Sequence, residues 1–509
     1  MKKRFLSMAV LAQLFSVGHS AEKQPNIIFV LCDDMGYGDL GCYGQRYIYT
    51  PNIDRMASEG MRFTQAYAGS PVSAPSRASI MTGQHTGHTL VRGNNEYWRD
   101  TRTARYGNNL DYAVVGQEPY DSEHVILPEV MKQAGYTTGM FGKWAGGYEG
   151  SSSTPDKRGV DEYFGYLCQF QAHAYYPNFL HRYSPRRGDT EVHRITLEEN
   201  IAYGMPGSAD YLQRPQYSAE MIHKEALQWL DQQSADKPFY GFFTYTLPHA
   251  ELTQPEDSIV QNYRKMFYDD KKWDGQPWSY YHQVEDCHTQ FAGMITRLDC
   301  YVGEILAKLK EKGFDDNTIV IFSSDNGPHE EGGADPVFFG RDGKLQGIKR
   351  SCHEGGIRIP CIVRWPGHVA AGTENHHICA FYDILPTFMD LAGIGSRFPE
   401  GIKRGAADCF DGISFAPTLL GRDAEQVSHP YLYWEFHETK QAAVRQGKYK
   451  LILKDGKYHL YDLDADIHED TDLAAKYPEK VEELKGIIKR EHITPRIEAF
   501  RFPIPGVDE

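Results

Sequence analysis

Asn26-Ile27-Ile28-Phe29-Val30-Leu31 is a short apolar run, closed after Cys32 by the acid pair Asp33-Asp34. A continuous run of this length, rich in Ile and Val and bounded by polar residues, predicts a strand buried on both faces, as in a parallel sheet. Similar runs recur at Thr137–Phe141, Phe239–Tyr245, Thr318–Phe322 and Ile357–Val363. Helical patterns lie among them at Leu127–Gln133, Ala219–Gln232, Phe291–Lys312 and Ile384–Ala392, and Pro51–Glu59 reads as a helix stopped by Gly60. Such alternation predicts an α/β fold, a large mostly parallel central sheet flanked by helices.

From about Pro430 the pattern changes. Tyr431–Glu435, Ala442–Val444, Lys448–Leu453 and Tyr458–Tyr461 read as short antiparallel strands, and Ala474–Arg490 as a helix behind them. The expected division is a main domain over 21–426 and a smaller C-terminal antiparallel α+β subdomain over 427–509. Arg92–His124 and Ala145–Pro215 lack a clear period and are rich in Tyr, so they read as long loops over the functional edge of the sheet.

The chain has 509 residues, enough to bury a large core. Residues 1–20 read as a secretory signal: Lys2-Lys3-Arg4, then a mostly apolar Phe5–Val17, then Gly18-His19-Ser20. That apolar run is shorter than a membrane span, and no later segment is apolar enough to be one. Removing the signal takes away three positive charges, and the net charge moves from −15 to −18. An acidic chain without a basic tract is unsuited to nucleic acid, and an anionic substrate needs a local positive pocket. The nine cysteines are scattered and odd in number, so at least one thiol is unpaired within the chain, and no zinc-type spacing occurs.

Asp325-Asn326 follows the run Val320-Ile321-Phe322-Ser323-Ser324, as Asp33-Asp34 follows the first strand. Ligands bind at the carboxyl ends of strands in open α/β sheets, so the two pairs can converge. Three carboxylates and an amide oxygen make a hard-oxygen site suited to Ca²⁺. The alternative is two solvated strand-end turns.

In Ser73-Ala74-Pro75-Ser76-Arg77, Pro75 fixes the backbone and Ser76-Arg77 open a helix running to Met81. A helix N-terminus favours an anion or a developing oxyanion. An unmodified Ser needs a base to act as a nucleophile, and no hydrolase Ser-elbow surrounds this one. With Thr82-Gly83 following, the segment resembles the signature of the formylglycine-dependent sulfatases: Cys or Ser, any residue, Pro-Ser-Arg, then Thr-Gly. The resemblance implies that Ser73 is oxidised to formylglycine, whose hydrate attacks the sulfur of a sulfate ester. It implies a calcium site made by Asp33, Asp34, Asp325, Asn326 and the modified side chain of residue 73, with Arg77 holding the hydrate.

Further segments carry the same resemblance. Phe141-Gly142-Lys143-Trp144 matches a segment whose Lys contacts sulfate, although Ala145 stands where many members have His. His173 is either a replacement for that His, a sugar contact or a packed loop residue. Thr246-Leu247-Pro248-His249 matches a Pro-His segment, which makes His249 the implied proton donor to the leaving oxygen. Leu345-Gln346-Gly347-Ile348-Lys349 followed by Glu354-Gly355-Gly356 matches a segment whose Lys grips sulfate. The offset favours Lys349, with Lys344 and Arg350 nearby. Asp383-Ile384-Leu385-Pro386-Thr387 fits the wider alkaline-phosphatase-like superfamily as a structural element.

The resemblance runs from Asn26 to Asp464 and leans toward arylsulfatase-A-like bacterial enzymes acting on galactose or N-acetylgalactosamine sulfates. His173, His329 and His437 are then the expected sugar-binding residues. A Ser-type signature implies a radical maturase as partner, and the leader implies a periplasmic or extracellular bacterial enzyme. A phosphomonoester or phosphonate hydrolase on the same scaffold, or a silent glycan-binding relative, are the other readings.

Overall fold

The computed structural model describes residues 23–98, 114–203, 213–275, 281–341, 343–395 and 410–507. The expected signal at 1–20 and Cys409 lie outside the described residues. Thirteen strands precede the C-terminal sheet: β1 (Asn26–Cys32), β2 (Met61–Tyr67), β3 (Glu96–Trp98), β4 (Val114–Gln117), β5 (Thr137–Lys143), β6 (Glu162–Tyr166), β7 (Phe179–Tyr183), β8 (His193–Thr196), β9 (Phe239–Thr244), β10 (Thr318–Ser324), β11 (Arg358–Arg364), β12 (Thr373–Asn375) and β13 (Cys379–Ala380). Eleven of them form one sheet in the order β12-β2-β11-β10-β1-β9-β5-β6-β7-β8, with β13 also on β2. The centre, from β10 through β6, is parallel, whereas β11, β7 and β8 run antiparallel to their neighbours.

Strand β1 shows why this chain folds around its first apolar run. Side chains alternate along a strand, so Ile28, Val30 and Cys32 enter the core under helices Ser218–Asp231 and Cys287–Glu311. Ile27, Phe29 and Leu31 enter the opposite core with helices Leu127–Gln133 and Ile384–Leu391. A strand covered on both sides has no polar face, hence the unbroken apolar sequence.

Two expectations fail. Ala145–Pro215 is not simply loop, because β6, β7 and β8 extend the sheet there. These edge strands take their form by pairing onto β5 and carry polar residues such as His181, Arg182 and Arg194, which hides any alternation. Likewise Arg92–His124 contains β3 paired with β4. Strand β2 has no counterpart in the sequence reading, although Met61 and Phe63 are buried between half-buried neighbours.

Strands β14 (Leu432–Phe436), β15 (Gln441–Gln446), β16 (Tyr449–Lys454) and β17 (Lys457–Asp462) form a separate antiparallel sheet in sequence order. The helix behind it is Pro478–Glu491, later than expected. Pro478 cannot continue a helix from Ala474 but suits a first turn. The eight described cysteines are free, and among the described residues no helix is long and apolar enough to cross a membrane.

Candidate active site

The register of β1 on β10 pairs Cys32 with Ser324, so Asp33 and Asp325 emerge side by side at the carboxyl edge of the sheet. Asp325 N–H donates to Cys32 O at 3.1 Å, and Asp34 N–H to Asp325 Oδ1 at 3.1 Å. Asp34 adopts a left-handed backbone with φ 61°, a conformation Asp tolerates better than most residues. Arg341 stabilises it from below: this fully buried guanidinium pairs with Asp39 and donates to Asp34 O at 2.9 Å.

Asp33, Asp34, Asp325 and Asn326 are all essentially inaccessible. Burial disfavours charge, and burial followed by repulsion from Asp33 pushes the Asp325 carboxyl up to about 6. Burial also opposes ionisation of Asp33, but Lys143, His249 and Arg77 outweigh it and hold its carboxyl well below the usual range. Asn326 Nδ2 donates to Asp34 Oδ1 at 2.7 Å, whereas Asn326 Oδ1 is buried with no hydrogen-bond partner. An orphaned buried oxygen beside three buried carboxylates fits a cation with hard-oxygen preference.

Ser73 is the first residue of helix Ser73–Thr82, so the helix begins three residues earlier than expected. Its Oγ donates to Asp33 Oδ1 at 2.9 Å. One turn on, Arg77 Nε donates to Asp325 Oδ2 at 2.9 Å, and Nη1 to Lys143 O at 3.3 Å. Lys143 ends β5, and its ammonium pairs with Asp33. Burial lowers the pKa of this ammonium despite that partner.

Lys349 arrives on a loop that docks tightly against the Asp325 segment. A Cβ on Gly327 would stand 1.9 Å from Gly355 O, so only glycine permits the approach. Lys349 Nζ donates to Asp34 Oδ2 at 2.8 Å and lies 3.0 Å from His249 Nε2 and 3.3 Å from Glu331 Oε2. Burial works against its charge, but Asp34 and Glu331 more than compensate and raise its pKa. His249 Nδ1 faces the Ala250 carbonyl, which sets the tautomer and leaves Nε2 turned toward Lys349 and Asp34.

The structure thus brings Asp33, Asp34, Ser73, Arg77, Lys143, His249, Asp325, Asn326 and Lys349 into one cluster. The three expected sugar-binding histidines separate. His173 stacks on His249 with ring centroids 4.3 Å apart and remains half-buried. His329 stacks beneath His249 at 5.5 Å, and both its nitrogens are engaged by main chain: Glu331 N–H donates to Nδ1 and Nε2 faces Pro248 O. Burial, with Arg341 and His249 and against Asp34, drives its pKa to about 3. It therefore props the His249 loop rather than presenting a free donor. His437 packs on Phe500 and over Gly93, and none of its described contacts is with the cluster.

Glu331 is the residue that the sequence reading passes over. It lies in the stretch Asn326–Pro336, and an acid so soon after a metal-type pair is the one available signal. Ala145, where a His was expected, is fully buried at φ 56° beside Leu167 and reaches no site residue among the described hydrogen bonds.

Known proteins resemble this chain over most of its length. The Sulfatase family profile matches residues 25–394, and the N-sulphoglucosamine sulphohydrolase C-terminal profile matches 347–493. N-acetylgalactosamine-6-sulfatase of Rattus norvegicus is 31% identical over 456 residues, covering 88% of this chain and 75% of that protein. N-acetylgalactosamine-6-O-sulfatase of Bacteroides thetaiotaomicron is 28% identical over 521 residues, covering 93% and 94%. The crystal structure of Ps i-CgsB in complex with k-i-k-neocarrahexaose superposes with TM-score 0.69 at 26% identity, covering 96% of this chain and 97% of that one.

Proposed function

This chain belongs to the sulfatase family of sulfuric ester hydrolases, and we propose from that premise that it desulfates glycans, acting on galactose or N-acetylgalactosamine sulfates with calcium and a formylglycine made from Ser73. The observation that carries the reading is the Ser73 hydroxyl 2.9 Å from Asp33, at a helix N-terminus, inside a buried group of three acids, three cations and one histidine. N-acetylgalactosamine is taken from relatives named as N-acetylgalactosamine-6-sulfatase and N-acetylgalactosamine-6-O-sulfatase, and galactose from the resemblance in the sequence.

Asp33, Asp34, Asp325, Asn326 and the side chain of residue 73 would hold Ca²⁺, which when bound offsets the charge of the sulfate. Formylglycine at position 73 supplies, as its hydrate, the oxygen nucleophile for sulfur. The other residues bind, orient and move protons. Arg77 holds the residue-73 oxygens against the helix N-terminus. Lys143 and Lys349, now paired with Asp33 and Asp34, turn their ammonium groups to the sulfate oxygens, Lys349 on the side of the leaving oxygen. His249 Nε2 lies on that same side and, with both ring nitrogens protonated, gives its proton to the departing sugar oxygen. His173 meets the sugar at the mouth.

In this reading residues 21–426 form the catalytic domain and 427–509 a C-terminal subdomain. A leader at 1–20 directs the protein to a bacterial periplasm or exterior, and a radical maturase modifies Ser73. The test is a panel of singly sulfated galactose and N-acetylgalactosamine saccharides, with matched phosphate esters alongside. Sulfate release from the matured protein supports the reading. Preference for phosphate esters, no turnover by the matured protein, or turnover by preparations whose peptide mass shows an intact Ser73, overturns it.

A further inference from the structure

Glu331 stands apart from the other acids of the site. It sits on the short turn Glu331–Gly333, with its N–H anchored on His329 Nδ1 at 3.1 Å. Its side chain is 21% exposed, whereas those of Asp33, Asp34 and Asp325 are at 1% or less. Oε2 lies 3.3 Å from Lys349 Nζ and 3.6 Å from His249 Nε2, and Tyr281 OH reaches it at 3.4 Å. Oε1 is 2.5 Å from Arg350 Nη1, and Arg350 also meets Glu438 at 3.5 Å, beyond the end of β14.

Asp34 holds Lys349 from the buried side and Glu331 meets it from the more exposed side. Glu331 cannot replace an acid of the buried group, because it opens toward solvent while they do not. What remains is the space beyond Lys349 and His249, on the side where the ester oxygen leaves. The sugar carbon bonded to that oxygen, and its neighbouring substituents, must pass within reach of Glu331. An ionised carboxylate is an acceptor with no proton to donate. It is satisfied by a hydroxyl and repelled by an anion.

We infer that Glu331 is a specificity-determining residue of this sulfatase: it accepts a hydrogen bond from the hydroxyl nearest the scissile sulfate ester and excludes sugars that carry a second sulfate there. The inference rests on the proposed glycan desulfation and adds the substitution pattern of the substrate. The Arg350 and Glu438 contacts set the position of the carboxylate from the C-terminal side. A second sulfate at this position would be opposed by the like charge of the carboxylate, whereas a hydroxyl would be accepted.

The test compares matured wild-type protein with Glu331→Gln on 6-sulfated and 4,6-disulfated N-acetylgalactosamine and on an aryl sulfate lacking ring hydroxyls. The amide keeps an acceptor oxygen and removes the charge. The ratio of kcat/KM for disulfated over monosulfated sugar should rise by at least about tenfold in Glu331→Gln, and aryl sulfate turnover measures whatever part of the change passes through Lys349 and His249 and so affects all substrates alike. Glu331→Asp, which withdraws the carboxylate, should shift the ratio less and serves if the Gln variant folds poorly. A ratio unchanged within about twofold in a protein that still cleaves these sulfates overturns the Glu331 assignment alone. A wild-type protein that cleaves none of the three overturns the glycan reading along with it.

Discussion

Asn326 donates its Nδ2 to Asp34 Oδ1 at 2.7 Å while its own Oδ1, equally buried, receives nothing. The two side chains come from the ends of adjacent strands and meet over a space bordered by Asp33 and Asp325. Arg77, Lys143 and Lys349 stand against the three acids, and the Asp325 carboxyl is nevertheless raised to about 6. The orphaned amide oxygen is the position at which the proposed calcium would add a partner.

Calcium should therefore stabilise the protein as well as support turnover. A ligand at about a hundred times its Kd adds about 2.7 kcal/mol to folding stability. Thermal melts with calcium and with EDTA should differ by several degrees, and Asp325→Ala should abolish most of that difference together with activity. Full activity after EDTA treatment, with no calcium binding by titration, would count against the site.

Ser73→Ala should remove turnover and leave the fold intact. The hydroxyl makes a single hydrogen bond to Asp33, and such a bond contributes about 1 kcal/mol. Wild-type protein made with the maturase should show a Ser73 peptide about 2 Da lighter than the unmodified one. Protein made without it should fold, keep the heavier peptide and be nearly inactive.

His249→Ala should separate substrates by leaving group. A sugar alkoxide needs a proton to depart and nitrophenolate hardly does, and general acid catalysis contributes about 10²–10⁴-fold. Sugar sulfates should lose that factor while aryl sulfates lose far less. Equal losses on both would assign His249 to sulfate binding instead.

Acid should loosen the junction between the C-terminal sheet and the main body. Glu354 receives Lys450 Nζ at 2.8 Å and Tyr67 OH at 2.6 Å, and Lys450 also meets Glu469 at 3.0 Å, all of these carboxylates being buried. Burial opposes the Glu354 charge, but Lys450, Arg358 and Arg445 win and bring its pKa to about 2, from an ordinary value of 4.5. A depressed folded pKa gives stability that is whole above 4.5 and is lost as pH falls toward 2, up to about 3 kcal/mol. Urea unfolding across that window should show a shallower acid slope in Glu354→Gln, together with a lower stability at neutral pH because Lys450 keeps only Glu469 as its buried partner.

Much of this protein was legible in its linear order because the deciding signals are local. The unbroken run Asn26–Leu31 determined a doubly covered strand, and the acid pairs after it and after Ser324 determined what stands at the carboxyl ends of two strands. Ser73 to Gly83, Lys143, His249 and the offset from Lys349 to Glu354 were legible through their resemblance to the segments of a known family. Tertiary structure decided the rest. β6, β7 and β8 exist because β5 offers them a hydrogen-bonding edge, a partner their own mixed residues do not announce. His329 meets Glu331, and Glu331 meets Lys349, only where the Gly327–Gly355 approach closes the Lys349 loop over the Asp325 turn. Periodicity and motifs record what each residue asks of its immediate neighbours along the chain. Which oxygen faces which ammonium across hundreds of residues is set by sheet register and loop packing, and those arise only when the whole core is buried at once.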